Sequence, residues 1–199
     1  MTAFGKVLLC LFLLAVLAFA AMMRFETAPA GRQPHPAATP APAPAPAPDR
    51  VAGARLAIPV AGVPAAALVD SFDEPRGGGA RLHHAIDILA PAGTPVRAAA
   101  AGRVEKLFES EPGGLMVYVR AAPDEVHYYG HLSAYAPGLA EGQAIPAGGP
   151  IGFVGATGDA DPGAPHLHFG VKRMAPGEGW WQGRDIDPYP LLAGKAVAR

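Results

Sequence analysis

The chain has 199 residues, a net charge of −1 and a single cysteine. Residues 51–199 contain twelve Lys and Arg residues against fifteen Asp and Glu residues, so we expect no basic stripe for a polyphosphate backbone and no nucleic-acid partner. The cysteine, Cys10, lies in an N-terminal apolar stretch, which excludes a disulfide framework and thiolate metal ligands from the rest of the chain. Any metal site must therefore use His, Asp or Glu.

The first predicted element is an N-terminal apolar helix. Lys6 is followed by seventeen uncharged residues, 7–23, and the next charge is Arg24. This length is at the lower limit for a helix that spans a hydrocarbon core of about 30 Å. Residues 1–24 are therefore predicted to be a signal anchor or a signal peptide, since residues 18–20 read as an A-x-A-like cleavage site. Either form exports the remainder of the chain.

Residues 25–50 are predicted to form an Ala- and Pro-rich linker. Within it, residues 28–49 contain eight prolines, many of them alternating with Ala. Such a sequence favours extended polyproline II at about 3.1 Å per residue, so these residues reach on the order of 70 Å as a semi-rigid stalk. A second interpretation, a proline-rich ligand for a recognition domain, lacks the charged anchors that such ligands usually carry. The N-terminal segment makes the cytoplasmic membrane an expected partner.

Residues 51–199 are predicted to form one mainly β domain, because short apolar runs alternate with turns rich in Gly and Pro. Residues 115–120 and 125–130 are expected to pair as a hairpin. Residues 98–101 have helix propensity, but Pro95 and Gly102 enclose them closely and favour a strand. The apolar runs are residues 56–63, 94–108, 115–120, 125–132, 150–155 and 166–171.

Two histidines lie two positions apart in the run GAPHLHFGV, residues 163–171. Alternate side chains of a strand share a face, so His166 and His168 are expected on one face, about 6.6 Å apart along the backbone. Leu167 and Phe169 then face the core. An H-x-H pair on a strand suits a metal or proton-transfer site, and the alternative is two surface histidines on a half-exposed strand.

A second polar group occurs in RLHHAIDILAPAGTPV, residues 81–96. His83 and Asp87 reach a common metal only if the chain bends, because four residues of straight strand would separate their backbones by about 13 Å. Two histidines and one carboxylate leave one position of tetrahedral Zn²⁺ open for water. His84 is an alternative to His83 in this set.

The third fragment with histidines is VHYYGHLS, residues 126–133, which contains His127 and His131. His127 lies two residues before Tyr129, and we expect it to be a polar surface residue.

In this order the fragments resemble the lysostaphin-type, LytM-like zinc peptidases, which cleave peptidoglycan cross-links. The family pattern is H-x-x-x-D, then a G-T-P-V strand, then Y-x-H-L, then H-x-H. It is matched here at residues 83–87, 93–96, 129–132 and 166–168. The resemblance covers about residues 57–192 and implies a compact antiparallel β-sheet domain with its site in an open groove.

The resemblance also implies roles for the residues. His83, Asp87 and His168 would be ligands of Zn²⁺, and His131 and His166 would be the unligated pair around the zinc-bound water. The implied protein is a zinc metalloendopeptidase that hydrolyses a peptide bond in the stem or cross-link of peptidoglycan. It would lie in the cell envelope, either anchored in the inner membrane and facing the periplasm or secreted into the periplasm.

Two residues depart from the family pattern. Ala85 stands where Gly is usual between the first two ligands, which could alter the bend between His83 and Asp87. Gly170 follows HLHF where Glu is common, which removes a carboxylate that could support a ligand.

Two other functions fit parts of the sequence. Related domains that have lost zinc ligands act as binding modules that switch on cell-wall amidases, but here all five polar positions are present, which favours catalysis. A lipoyl-carrier-like module would need an exposed lysine at a hairpin tip, whereas Lys106 lies within a strand-like run. A protein regulator is a further candidate partner.

Two further features of the sequence give weaker indications of function. Asp159 and Asp161 are expected to be ordinary turn residues rather than cation ligands. Trp180 and Trp181 are expected to pack in the core or against the C-terminal turn, with a stacking wall for a glycan or peptide as the alternative.

Overall fold

The computed structural model describes residues 55–194. The predicted N-terminal helix at residues 1–24 and the linker at residues 25–50 lie outside the described residues. Within residues 55–194, no helix is both long enough and apolar enough to span a membrane.

The described part is built almost entirely of antiparallel strands. Its helical segments are two short 3-10 helices, Ala65–Ala67 and Gly77–Gly79, and one short α-helix, α1, Tyr189–Ala193. The strands are β1 Pro75–Arg76, β2 Arg81–Leu82, β3 Ile86–Leu89, β4 Pro95–Arg97, β5 Gly102–Ser110, β6 Gly114–Ala122, β7 Glu125–Tyr135, β8 Ala144–Ile145, β9 Pro150–Val154, β10 His166–Arg173 and β11 Arg184–Ile186.

Nine of these strands form one antiparallel sheet. Its main path runs β11-β10-β7-β6-β5-β8; β3 pairs with β10, and β9 pairs with both β7 and β4. Strands β1 and β2 form a separate two-stranded ribbon. The prediction of a mainly β, antiparallel domain is confirmed.

The hairpin of β6 and β7 lies at the centre of the sheet and is longer than predicted. A two-residue connection, Pro123 and Asp124, joins two strands rich in β-branched and aromatic residues. Both faces of the hairpin are covered. Because side chains alternate along β6, Val117 enters the larger apolar cluster, whereas Met116 and Tyr118 enter a smaller cluster on the other face.

Two strand predictions at the edges were wrong. Residues 98–101 form a bend between β4 and β5, and residues 56–63 contribute one isolated bridge, between Val60 and Val96. One backbone group of the bend bonds to a side chain instead of a neighbouring strand: the amide of Ala99 donates to the hydroxyl of Tyr129 at 2.9 Å. Small alanine side chains allow this buried crossing.

Candidate metal centre

Asp87 and His168 are brought together by strand pairing. Strands β3 and β10 are antiparallel neighbours, and Asp87 lies directly opposite His168. Ile86 and Ile88, the two neighbours of Asp87 in β3, point into the core. Leu167 and Phe169, the two neighbours of His168 in β10, also point into the core. The alternation therefore places the carboxylate and the imidazole on the same face of the sheet.

His83 joins them through a bend in the chain. It lies between β2 and β3, and the backbone bends at Ala85. The methyl group of Ala85 is fully buried in the smaller apolar cluster, so the usual glycine is not needed for this turn. His84 points elsewhere: its Nδ1 lies 3.6 Å from Oδ1 of Asp73.

The three side chains form a compact donor set. Nε2 of His83 lies 3.1 Å from Nδ1 of His168 and 3.1 Å from Oδ1 of Asp87. Nδ1 of His168 lies 3.3 Å from the same oxygen. A tetrahedral ion with ligands at about 2.0 Å requires donor atoms about 3.3 Å apart, so the spacing and the donor types fit Zn²⁺.

Outer hydrogen bonds orient two of these side chains. Nδ1 of His83 donates to the carbonyl of Ser71 at 2.9 Å, which directs Nε2 into the cluster. The hydroxyl of Ser71 accepts the amide of Asp87 at 3.2 Å. Nη2 of Arg76 donates to Oδ2 of Asp87 at 2.8 Å.

A β-bulge directs His131 toward the same face. The pairing of β6 with β7 passes from Leu115–Leu132 to Val117–Tyr129, so β7 contains one extra residue at this point. His131 adopts φ 58°, a conformation that is uncommon outside glycine. Bulges often re-aim a side chain beside a functional site, and this one sets the His131 ring 5.4 Å from the ring of His168.

His131 and His166 have the same hydrogen-bonding state. Nδ1 of His131 donates to the carbonyl of Thr157 at 2.8 Å, and Nδ1 of His166 donates to the carbonyl of Ala164 at 2.9 Å. In a neutral imidazole this leaves Nε2 as a proton acceptor. The two rings are 4.9 Å apart, and Nε2 of His166 lies 3.6 Å from Oδ1 of Asp87.

Electrostatics set the protonation states that a metal needs. Burial alone would raise the pKa of Asp87, but the hydrogen bonds with His168 and His83 outweigh it and hold that pKa well below its ordinary range. Burial lowers the pKa of His168, and it lowers the pKa of His131. An ionised carboxylate and neutral imidazoles are the forms that bind metal and accept protons.

Gly170 is explained by a neighbouring tyrosine. A Cβ atom at this position would collide with the ring of Tyr128. The hydroxyl of Tyr128 donates to the carbonyl of His84 at 2.9 Å, and its ring lies 5.7 Å from that of His168. Tyr128 therefore occupies the space in which the usual glutamate would start, and it supports the segment that carries His83.

The predicted site residues line one open groove of about 860 Å³. Apolar side chains of Phe108, Met116 and Tyr118 form part of its wall. Asp159 and Asp161 lie at turns on its rim, and neither belongs to the three-residue donor cluster. The five residues predicted for the site are His83, Asp87, His131, His166 and His168.

His127 is not a surface residue, so that expectation was wrong. Its side chain is fully buried, its Nε2 lies 2.8 Å from Oε1 of Glu125, and its ring contacts Phe169. Trp180 packs against the smaller apolar cluster, whereas Trp181 is 63% exposed.

Sequence reasoning missed the supporting residues Ser71, Arg76 and Thr157. Two of them act through backbone carbonyls, which no residue type reveals. Tyr128 was also missed: the sequence shows it beside Tyr129 in YYGHL, but only the strand register places it opposite Gly170.

Known peptidases resemble this chain in sequence. The chain is 35% identical over 128 residues to L-Ala--D-Glu endopeptidase of Bacillus subtilis, which covers 61% of this chain and 38% of the relative. It is 45% identical over 94 residues to DD-carboxypeptidase/endopeptidase Mpg of Neisseria meningitidis, which covers 46% of this chain and 20% of the relative. The chain thus spans well under half the length of these relatives.

Solved structures share the fold. The catalytic domain of lysostaphin from Staphylococcus simulans superposes with a TM-score of 0.52 at 30% identity, covering 62% of this chain and 89% of that domain. Csd3 of Helicobacter pylori gives a TM-score of 0.54 at 30% identity, covering 71% of this chain and 34% of that protein. The family model described as peptidase family M23 matches residues 81–188, just over half of the sequence. The chain accordingly belongs to peptidase family M23, the lysostaphin and LytM type that its histidine motifs predicted.

Proposed function

We propose that the chain is a zinc-dependent endopeptidase that hydrolyses a peptide bond in the stem or cross-link of peptidoglycan. The main support is that donor atoms of His83, Asp87 and His168 lie 3.1–3.3 Å from one another in an open groove. Relatives named L-Ala--D-Glu endopeptidase and peptidoglycan DD-endopeptidase ShyC support the substrate class.

In this proposal His83, Asp87 and His168 hold the ion. Zinc in such a site supplies a Lewis acid that polarises the scissile carbonyl and lowers the pKa of bound water toward about 7. The backbone carbonyls that accept the Nδ1 protons of His131 and His166 keep both Nε2 atoms directed at the groove. One imidazole takes a proton from the attacking water at its Nε2 atom, and the imidazole pair then delivers this same proton to the leaving amine nitrogen.

A non-catalytic activator of cell-wall amidases is not favoured. Such a module has no need for three donor atoms at the spacing of a tetrahedral ion, nor for two further imidazoles whose tautomers are set by hydrogen bonds. All five polar positions are occupied by the residue types that the hydrolytic reaction requires.

We also propose that the enzyme acts in the cell envelope. The apolar run at residues 7–23 and the proline-rich residues 28–49 support export and a stalk. On this proposal the cytoplasmic membrane holds the N-terminal segment, and the groove faces the cell wall.

The test compares the full-length chain with Asp87→Ala and with a control, Asp161→Ala, on purified peptidoglycan supplied with zinc. Asp161 lines the same groove but lies outside the donor cluster. We expect the parent and the control to release peptides identifiable by mass spectrometry and to bind one zinc per chain, and Asp87→Ala to lose both properties. Full zinc occupancy in Asp87→Ala, or clearance only after an amidase is added, contradicts the proposal.

A further inference from the structure

Arg76 contacts the donor cluster from outside the main sheet. It ends β1, in the two-stranded ribbon, and its Nη2 atom lies 2.8 Å from Oδ2 of Asp87 and 3.0 Å from Nδ1 of His83. Since Nδ1 of His83 donates its proton to the carbonyl of Ser71, Nη2 donates to Asp87 rather than to His83. The same Nη2 atom has a longer contact, 3.5 Å, with Oε2 of the exposed Glu74.

The two oxygens of Asp87 therefore have separate surroundings. Oδ1 faces the donor nitrogens of His83 and His168, whereas Oδ2 accepts from Arg76. With Oδ2 held by a charge-assisted hydrogen bond, the carboxylate cannot rotate freely, and it offers Oδ1 alone to an ion in the cluster. The Asp87 side chain is 19% exposed and that of Arg76 is 33% exposed, so water competes only partly for this pair.

The ribbon is built to hold Arg76 in this place. The turn between β1 and β2 consists of residues 77–80, and its three glycines, Gly77, Gly78 and Gly79, all have positive φ, which glycine adopts without strain. This turn sets Arg76 opposite Arg81 in the ribbon. The guanidinium of Arg81 pairs instead with Oδ2 of Asp159 at 3.1 Å, so Arg81 is a matched control on the same ribbon.

We infer that Arg76 is a positioning residue of the metal centre: it holds Oδ2 of Asp87 and thereby fixes Asp87 as a ligand through Oδ1 alone. This inference rests on the proposed zinc site. Partners that orient metal ligands typically contribute 10–100-fold to metal affinity. Arg76 is thus expected to act on metal binding itself, before any effect on hydrolysis.

The experiment measures the zinc dissociation constant of the full-length chain by competition with a chromophoric chelator, and the visible absorption spectrum of its Co²⁺ form. Arg76→Met keeps the aliphatic stem and removes the donors, Arg76→Lys keeps a cationic donor, and Arg81→Ala is the control. We expect Arg76→Met to bind zinc about 10–100-fold more weakly with altered Co²⁺ bands. Arg76→Lys should recover part of the affinity, and Arg81→Ala should stay within about twofold of the parent.

The outcomes separate the two proposals. If the parent binds zinc and Arg76→Met binds it equally well with an unchanged Co²⁺ spectrum, the positioning role is wrong and the zinc site stands. If Arg81→Ala loses as much affinity as Arg76→Met, the effect belongs to the ribbon as a whole and the positioning role is again wrong. If the parent binds no zinc, both proposals fail. Should Arg76→Met not fold by circular dichroism, Arg76→Gln takes its place in the comparison.

Discussion

His166 and His168 share one strand face but have different contacts. Nδ1 of His168 lies 3.1–3.3 Å from donor atoms of His83 and Asp87, which fits a ligand. His166 gives its Nδ1 proton to the carbonyl of Ala164 and presents Nε2 to the groove, which fits a proton carrier. The two neighbouring imidazoles therefore lead to opposite expectations for metal binding.

The first prediction separates these roles. His168→Ala should lose zinc affinity, because it removes a donor atom. His166→Ala and His131→Ala should keep the metal and lose activity by about 10²–10⁴-fold, the usual contribution of general acid-base help. Zinc content and peptidoglycan hydrolysis are measured in parallel. Zinc loss in His166→Ala with retention in His168→Ala would mean that the roles are exchanged, and three fully active variants would refute the zinc-peptidase proposal.

The second prediction concerns the pKa of His131. Burial lowers this pKa below its ordinary value of about 6.5, although the hydrogen bond to Thr157 works in the other direction. The unfolded chain then binds the proton more tightly than the folded chain does, so His131 lowers the free energy of unfolding as pH falls from about 6.5 through the folded pKa. In the folded chain, His131 stays neutral, and thus able to act as a base, to a lower pH. An NMR titration of the zinc-free chain, with His131→Gln to identify the signal, should give a midpoint below 6.5. A midpoint at or above 6.5 contradicts this account.

At the level of strands, the sequence predicted the elements that follow simple periodicity. The alternation in HLHF gave the faces of β10, and the apolar runs on either side of Pro123 and Asp124 gave the central hairpin. The G-T-P-V strand and the bend after His83 followed from the family pattern and from the distance to Asp87. Each of these depends on neighbours along the chain.

Other features depend on contacts that no local pattern encodes. The bulge that turns His131 arises where β7 pairs with β6, and His127 is buried because β7 is a central strand covered on both faces. Arg76 lies eleven residues before Asp87, and only the glycine turn of the ribbon returns its side chain to the site. Residues 98–101 were predicted as a strand because Pro95 and Gly102 enclose them closely, but they form a buried bend between β4 and β5.

The third prediction tests the packing between β7 and β10. Gly170→Ala should destabilise the fold by about 1–3 kcal/mol, because the new methyl group collides with the ring of Tyr128. Denaturant unfolding measures the change. Gly130→Ala is the control, since a Cβ atom there meets Cβ of His168 at an ordinary 3.4 Å.

A double variant makes this test specific. Adding Tyr128→Ala removes the ring, so a methyl group at position 170 should then cost less than it does in the parent. Equal costs in both backgrounds would show that Tyr128 is not the reason for Gly170.

On the scale of the whole molecule, the described residues correspond in extent to the catalytic domain of lysostaphin and to a smaller part of longer relatives. The fold covers 89% of the lysostaphin catalytic domain, whereas the chain covers only 38% and 20% of two longer relatives. The proposed location of this domain rests on the apolar and proline-rich residues before position 51.

The fourth prediction is about that location. Cell fractionation should find the full-length chain in the membrane or the periplasm if residues 7–23 act as the proposed export signal. A chain that lacks residues 1–24 should remain in the cytosol. N-terminal sequencing distinguishes the forms, since a mature start near Ala21 indicates cleavage. Full-length protein in the cytosolic fraction contradicts the export proposal.

The pairing of Asp87 with His168 has a consequence for the timing of activation. These residues are 81 positions apart in the sequence. Their donor atoms come together only after β3 and β10 have paired. Metal capture would then be coupled to the completion of folding rather than to synthesis of any one segment. A polypeptide that crosses the membrane unfolded would carry no assembled hydrolase on the way, and it would become a cell-wall enzyme only on the side where it folds.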